Sequence, residues 1–204
     1  MRKFCILFLG FLASCSPIIP EADNKFNITA FSREKISLHQ SKETILVSQP
    51  QAIPGYQTEE MHYITKPFQL SSFVKNSWIS PPAGLLTPLI VQALQNSNYF
   101  FAVASGPDAD KTDYRLDTQL ISLQQNFLTH PSTLELGLQV VLTYVEDARV
   151  VSSRTFIITK TCPSNNPYGG VIATNNAMQQ FTAELSKYVI YEIRQDLSHI
   201  NRLT

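Results

Sequence analysis

From Tyr114 to Thr161 the chain alternates polar and apolar residues over long stretches, which limits the possible folds more than any other feature. Tyr114, Leu116, Thr118 and Leu120 recur at every second position, with Ser122 next in the series. Leu134, Leu136, Leu138, Val140 and Leu142 follow the same rule between Leu134 and Tyr144. A third stretch, Val150 to Thr161, sets Thr155, Ile157 and Thr159 against Phe156 and Ile158. Period two marks strands whose side chains point alternately to opposite faces. Glu146-Asp147-Ala148-Arg149 is a tight turn, and short turns make successive strands antiparallel neighbours. A sheet with three long strands needs something to cover its apolar face.

The C-terminal segment supplies a cover. Pro163 to Gly170 reads as a loop, and a long helix is predicted from about Asn175 to His199. Ala177, Met178, Phe181, Leu185, Tyr188, Val189, Ile193, Leu197 and Ile200 form its apolar stripe. Gln179, Glu184, Lys187, Arg194 and Asp196 lie on the opposite side. A shorter helix follows Ser80-Pro81-Pro82, with Leu85, Leu86, Leu89, Ile90, Ala93 and Leu94 as its stripe. Pro88 leaves two solutions: a helix from Pro82 that bends, or one capped by Thr87 with Pro88 in its first turn. Upstream, Lys25 to Thr29 reads as an edge strand and Thr44 to Ser48 as a central one, apolar on both faces. Met61 to Ile64 and Phe68 to Val74 form a hairpin about Lys66-Pro67, and Tyr99 to Val103 is a further strand. The predicted class is α+β, an antiparallel or mixed β-sheet with two helices packed on one face.

The N-terminus is of another kind. Arg2 and Lys3 precede a nine-residue apolar run, Phe4 to Leu12, and then Ala13, Ser14 and Cys15. Charged start, short apolar run and small residues are the layout of a secretory signal peptide. The run is about half the length of a bilayer-spanning helix. Leu12-Ala13-Ser14-Cys15 resembles a bacterial lipobox, whose cysteine is acylated once the leader is cut away; a plain signal peptide with an incidental cysteine is the alternative. On the lipobox reading residues 1–14 are the signal peptide, and 15–24 are the acylated cysteine and a flexible tether containing Pro17 and Pro20. Residues 25–204 are a single α+β periplasmic domain. The tether spans about 30 Å at most, at roughly 3.3 Å per residue. By the sorting rule of such signals Ser16 implies the outer membrane, with the domain facing the periplasm of a Gram-negative bacterium.

Charge and motifs exclude much of the usual chemistry. Without Arg2 and Lys3 the remaining chain has two more acids than bases, which is no footprint for nucleic acid. Cys5 leaves with the leader and Cys15 is acylated. Cys162 then has no disulfide partner and reads as a small buried residue, with a reactive thiol as the alternative. His39, His62, His130 and His199 show no metal-ligand spacing, and no P-loop, Gly-x-Ser-x-Gly or dinucleotide fingerprint occurs. Gly169-Gly170 lacks the lysine and hydroxyl of a phosphate cradle. Asp108, Asp110, Asp113 and Asp117 cluster around a loop and read as solvated. No enzyme activity, cofactor or metal is expected. Tyr56, Tyr63, Trp78, Tyr99, Phe100 and Phe101 read as core around the first helix, or as part of an interface.

The middle of the chain carries a family resemblance. Gly55-Tyr56, Tyr63, the Phe68 to Phe73 strand, Trp78, Pro81-Pro82, Leu86, Leu89, Leu94, Tyr99-Phe100 and then Asp113-Tyr114-Arg115-Leu116 resemble the ABC-type transport auxiliary lipoproteins, which include PqiC-like proteins. The resemblance spans about residues 25 to 200, and Ile79 departs from the Ala that usually follows the Trp. It implies a fold similar to the N-terminal domain of TolB. It also implies partners: the subunits of an ABC transporter, and an MCE-domain protein that bridges the periplasm to move lipids or other hydrophobic compounds. The lipoprotein would be anchored by its acyl chains (palmitate among them), would form a homo-oligomeric ring, and would dock the bridging protein at the outer membrane. The alternative is a lipid carrier with an apolar cavity.

Overall fold

A computed structural model of the chain describes residues 24–106 and 111–203, with only the helical backbone described from residue 200 onward. The elements run β1 (Asn24–Phe26), β2 (Thr44–Val47), β3 (Gln51–Ala52), β4 (Glu60–Lys66), β5 (Gln69–Trp78), α1 (Pro82–Asn96), β6 (Ala102–Ala104), β7 (Tyr114–Asn126), β8 (Thr133–Tyr144), β9 (Arg149–Thr161) and α2 (Pro167–Leu203). The fold is α+β, two helices on a mixed sheet. β7 is its spine. One edge of β7 pairs antiparallel with the whole of β8, which pairs antiparallel with β9. The other edge takes three short parallel partners in succession: β2 at Tyr114–Leu116, β3 at Gln119–Leu120 and β4 at Gln124–Asn126. β6 then adds to β2, β5 adds antiparallel to β4, and β1 adds parallel to β5.

The alternation in the three long strands is real, with one break. Tyr114, Leu116, Thr118 and Leu120 are buried, but the register of β7 against β8 shifts between Leu120 and Ser122. That bulge puts Leu123 and Gln125 on the core face, so Ser122 does not continue the series. Gly137 sits opposite, where a Cβ would meet Ser122 Oγ, Ile121 and Ile157. A side chain there would keep the bulged strand from closing on β8.

Both helices cover the same face of the sheet. α1 buries Leu86, Leu89, Ile90, Ala93 and Leu94; it begins at Pro82 and carries Pro88 inside, so it does not start at a Thr87 cap. α2 buries the predicted stripe from Ala177 to Ile193 against Leu134, Leu136, Leu138, Phe156 and Ile158. It starts eight residues earlier than read, at Pro167, because Asn166 caps it: its Oδ1 accepts from the Gly169 N–H at 2.8 Å. Asp196 is a second correction, since it is 6% exposed rather than on the solvent side. Its carboxylate accepts both Arg149 guanidinium nitrogens, at 2.7 and 3.2 Å, and the Tyr114 hydroxyl at 3.1 Å.

Two further expectations shift. The strand after α1 is Ala102–Ala104, while Tyr99 and Phe100 are buried in the turn before it. β1 is Asn24–Phe26, and the chain after it leaves the sheet to lie along α2. There Asn175 Oδ1 accepts from the Thr29 and Ala30 N–H groups, at 2.9 and 3.0 Å. Thr182 Oγ1 accepts from the Ser32 N–H at 2.8 Å.

Candidate docking surface

The direction of the strands gives the molecule two distinct ends. At one end lie the start of β7, the β8–β9 turn and Asp196 of α2. At the other lie the end of β7, the β7–β8 loop, the β4–β5 turn, the end of β9 and the start of α2. They differ in how many acids they hold, Glu135 of β8 standing near the second end. The three stretches 61–75, 121–134 and 160–183 contain no Asp or Glu at all, and carry Lys66, Lys75 and Lys160. The opposite end holds Glu43, Asp113, Glu146 and Asp147 around Arg149. There Glu146 accepts the Tyr144 hydroxyl at 2.6 Å, which pushes that phenol up to about 12.

Apolar side chains stand in solvent at the hairpin end, as Phe101 and Val150 do at the other. β4 and β5 form a hairpin that passes the last pair of β4 with β7, Ile64 with Asn126, and closes at Lys66–Gln69. Its two-residue turn is Pro67-Phe68. Proline suits the first central position of a type II turn, and the second needs a positive φ, which favours Gly or Asn. Phe68 occupies it at φ 65°, with its ring wholly exposed. Leu70 and Val74 on β5, and Leu128 on the adjoining loop, are exposed as well. The hairpin stem is firm. Tyr63 and Phe73 stack with centroids 4.5 Å apart, and Phe127 meets both at 6.0 and 6.3 Å. The Phe127 N–H also donates to the Ile64 carbonyl at 2.9 Å, tying loop to hairpin.

Of the aromatics singled out in the sequence, Trp78 is 2% exposed in the core at the end of β5. Tyr63 is half-buried in the stem cluster. Tyr56 is half-buried too, donating to Gln124 at 2.5 Å and packing edge-on to His62, and burial pushes its hydroxyl pKa up. Phe101 lies in solvent. Cys15 falls outside the described residues, as do the leader, the tether up to residue 23, and Asp108 and Asp110. Asp113 is not simply solvated: it accepts from the backbone and hydroxyl of Thr44, at 2.7 and 2.6 Å, and so fixes β2 against β7. Cys162 is a buried free thiol, its pKa raised by burial.

Among the described residues no group of His, Cys, Asp or Glu could hold a metal ion. His62 Nε2 and Gln125 Oε1 have no hydrogen-bond partner in the protein. Both residues line a small space of about 10 Å³ between Trp78, Gly170 and Thr174. That is room for about one water, whereas ligand pockets run to hundreds of Å³. Phe68 and the scarcity of acids at the hairpin end were the surface features that the sequence did not announce. Their signal was a Pro-Phe pair where the turn wants Pro-Gly, and the absence of acids from three stretches that meet only in the fold.

Comparison with known proteins gives a family and a fold. The family model for the ABC-type transport auxiliary lipoprotein component matches residues 30–186. No curated protein gives a significant sequence match. Among solved structures, protein XCC0632 from Xanthomonas campestris, of the DUF330 family model, aligns with a TM-score of 0.77 at 22% identity, over 86% of this chain and 99% of that one. An uncharacterised protein aligns at 0.66 and 15% identity, over 83% and 99%. The hypothetical protein CT253 from Chlamydia trachomatis aligns at 0.51 and 6%, over 73% and 98%. At these identities the likeness is one of fold.

Proposed function

The chain belongs to the ABC-type transport auxiliary lipoprotein component family, and on that premise we propose that it acts by docking. Acyl chains on Cys15 hold it at the outer membrane, facing the periplasm. There it receives the tip of an MCE-domain bridging protein that works with an ABC transporter on lipids or other hydrophobic compounds. The observation that carries this reading is the family match, which runs from residue 30, between β1 and β2, to residue 186 in α2. The sheet supports it, because both helices occupy one face and leave the other open: Gln119, Gln139, Thr155 and Ile157 are exposed there. Docking is favoured over the lipid-carrier alternative because, among the described residues, the space beneath Trp78 is about 10 Å³, too small for an acyl chain, and the clefts of about 460–640 Å³ lie open at the surface.

Capture of the acylated protein from mild detergent, followed by mass spectrometry, is expected to recover a permease, an ATPase and an MCE-domain protein. Recovery of the bait alone would sink the docking role. Cys15→Ala tests the anchor separately: on fractionation the variant should leave the outer membrane for the soluble periplasm.

A further inference from the structure

We infer that the β4–β5 hairpin end is a second membrane contact, seated in the headgroup layer of the same bilayer that carries the Cys15 anchor. The inference rests on that anchor. β1 pairs parallel with β5, Asn24 beside Asn76 and Phe26 beside Trp78. The chain therefore enters β1 from the side on which the hairpin turn lies. Asn76 is eight residues past Phe68, about 26 Å along the strand at roughly 3.3 Å per residue. Cys15 is nine residues before Asn24, about 30 Å at full extension. The tether's reach of about 30 Å therefore matches the distance of about 26 Å from Asn76 to the turn, so the anchored cysteine and the turn can meet one bilayer surface at the same time.

The chemistry of that end suits an anionic lipid surface. Phe68, Leu70 and Leu128 offer apolar groups of a size for the headgroup–acyl boundary. Lys66 and Lys160 flank them, and Glu135, near the start of β8 at this end, accepts from the Gln124 amide at 3.3 Å. The acidic end, with Glu146 and Asp147, points away. The turn itself holds an aromatic ring in water on a backbone that favours glycine, a local cost without a packing return among the described residues.

The test uses the full chain, acylated and reconstituted in vesicles of phosphatidylethanolamine and phosphatidylglycerol. With Cys15 acylated and Cys162 buried, Phe68→Cys supplies one accessible thiol for an environment-sensitive fluorophore. Leu128→Cys provides a second site at the same end, and Val150→Cys one at the opposite end. Expected are a blue shift and quenching by nitroxide-bearing lipids at 68 and 128, with 150 quenched only by aqueous iodide. Iodide quenching at all three sites on vesicles that still float with the protein overturns the hairpin contact and leaves the anchor standing. Shielding at 68 from both quenchers means that protein covers the turn, a second copy in this mixture, and overturns the membrane assignment. Protein that does not float with the vesicles removes the anchor, and this inference with it.

Discussion

Phe181 lies wholly buried on α2 with its ring edge-on to Phe156, whereas Phe68 stands in solvent at a turn whose backbone disfavours it. The same side chain is used in opposite ways at two places 113 positions apart in the sequence. Around Phe181 each level agrees: helical spacing, burial and cross-sheet packing point to one arrangement. Around Phe68 they conflict, and the conflict has no structural beneficiary. Regions of the first kind specify the fold; a region of the second kind is where something outside the chain is expected to act.

The bluntest way to break this comparison is to remove both rings. Phe181→Ala should lose about 3–5 kcal/mol in urea denaturation, the transfer of a buried ring plus the cavity it leaves. Phe68→Ala should change stability by less than about 0.5 kcal/mol, as at an ordinary surface site. A similar loss in both would show that the hairpin end belongs to the core after all.

A second variant asks how far the ordered region reaches. Asp196 holds Arg149 and the Tyr114 hydroxyl together at the end away from the hairpin. Breaking a buried charge pair costs about 3–5 kcal/mol. Arg149 is 41% exposed and can turn to water, so Asp196→Ala should cost about 2 kcal/mol instead. A loss under about 0.5 kcal/mol, again by urea denaturation, would mark this contact as a surface pair and shorten the ordered region by one end.

The elements that follow one period were legible in the sequence. β7 and β8 read as strands because apolar residues recur at every second position, and β9 because Phe156 and Ile158 stand against Thr155, Ile157 and Thr159. α2 read as a helix because Phe181, Leu185, Tyr188 and Val189 fall on one stripe. What period cannot report is a change of phase. The bulge after Leu120 moved Ser122 off the core face, and nothing in Ile121-Ser122-Leu123 announces it. Asp196 looked solvent-facing by its chemistry and by its place in the stripe. Only Arg149, 47 residues earlier, makes its burial affordable in charge terms. The start of α2 was hidden by Pro167, Gly169 and Gly170, which read as loop residues until Asn166 is seen capping the turn. Gly169 is needed in the first turn of the helix, since a Cβ there would run into the Ser164 carbonyl oxygen. The docking end was the least legible. Its features are an absence of acids spread over three stretches, and a chain direction that exists only once β1 is paired.

Alkaline pH sharpens the comparison further. Burial first, and then the Asp196 carboxylate, raise the Tyr114 phenol well above its usual value. A phenol held protonated in the fold stabilises fully below the unfolded value near pH 10, and that contribution is lost as pH rises beyond it. The unfolded chain releases the proton there while the native one keeps it. Stability should therefore fall above pH 10, by at most about 1.4 kcal/mol per pH unit from this group. Tyr114→Phe should flatten the decline in urea denaturation at pH 9 to 11. An unchanged slope would assign the loss to other groups, Tyr144 first among them.

The smallest expected effect is the one that bears most directly on function. A non-glycine residue in the left-handed region costs roughly 1–2 kcal/mol, partly offset when the replacement is glycine, with its greater freedom in the unfolded chain. Phe68→Gly should therefore stabilise the isolated protein, by about 1 kcal/mol or somewhat less, visible as a higher urea midpoint with an unchanged slope. A residue that makes its own protein less stable and touches nothing within it is kept for another reason. The variant that folds better should dock worse, with weaker protection of the hairpin on vesicles of phosphatidylethanolamine and phosphatidylglycerol. If Phe68→Gly instead destabilises the protein, the ring supports the turn in a way its exposure conceals. The contrast with Phe181 would then be one of degree, and the hairpin end would need no partner to account for it.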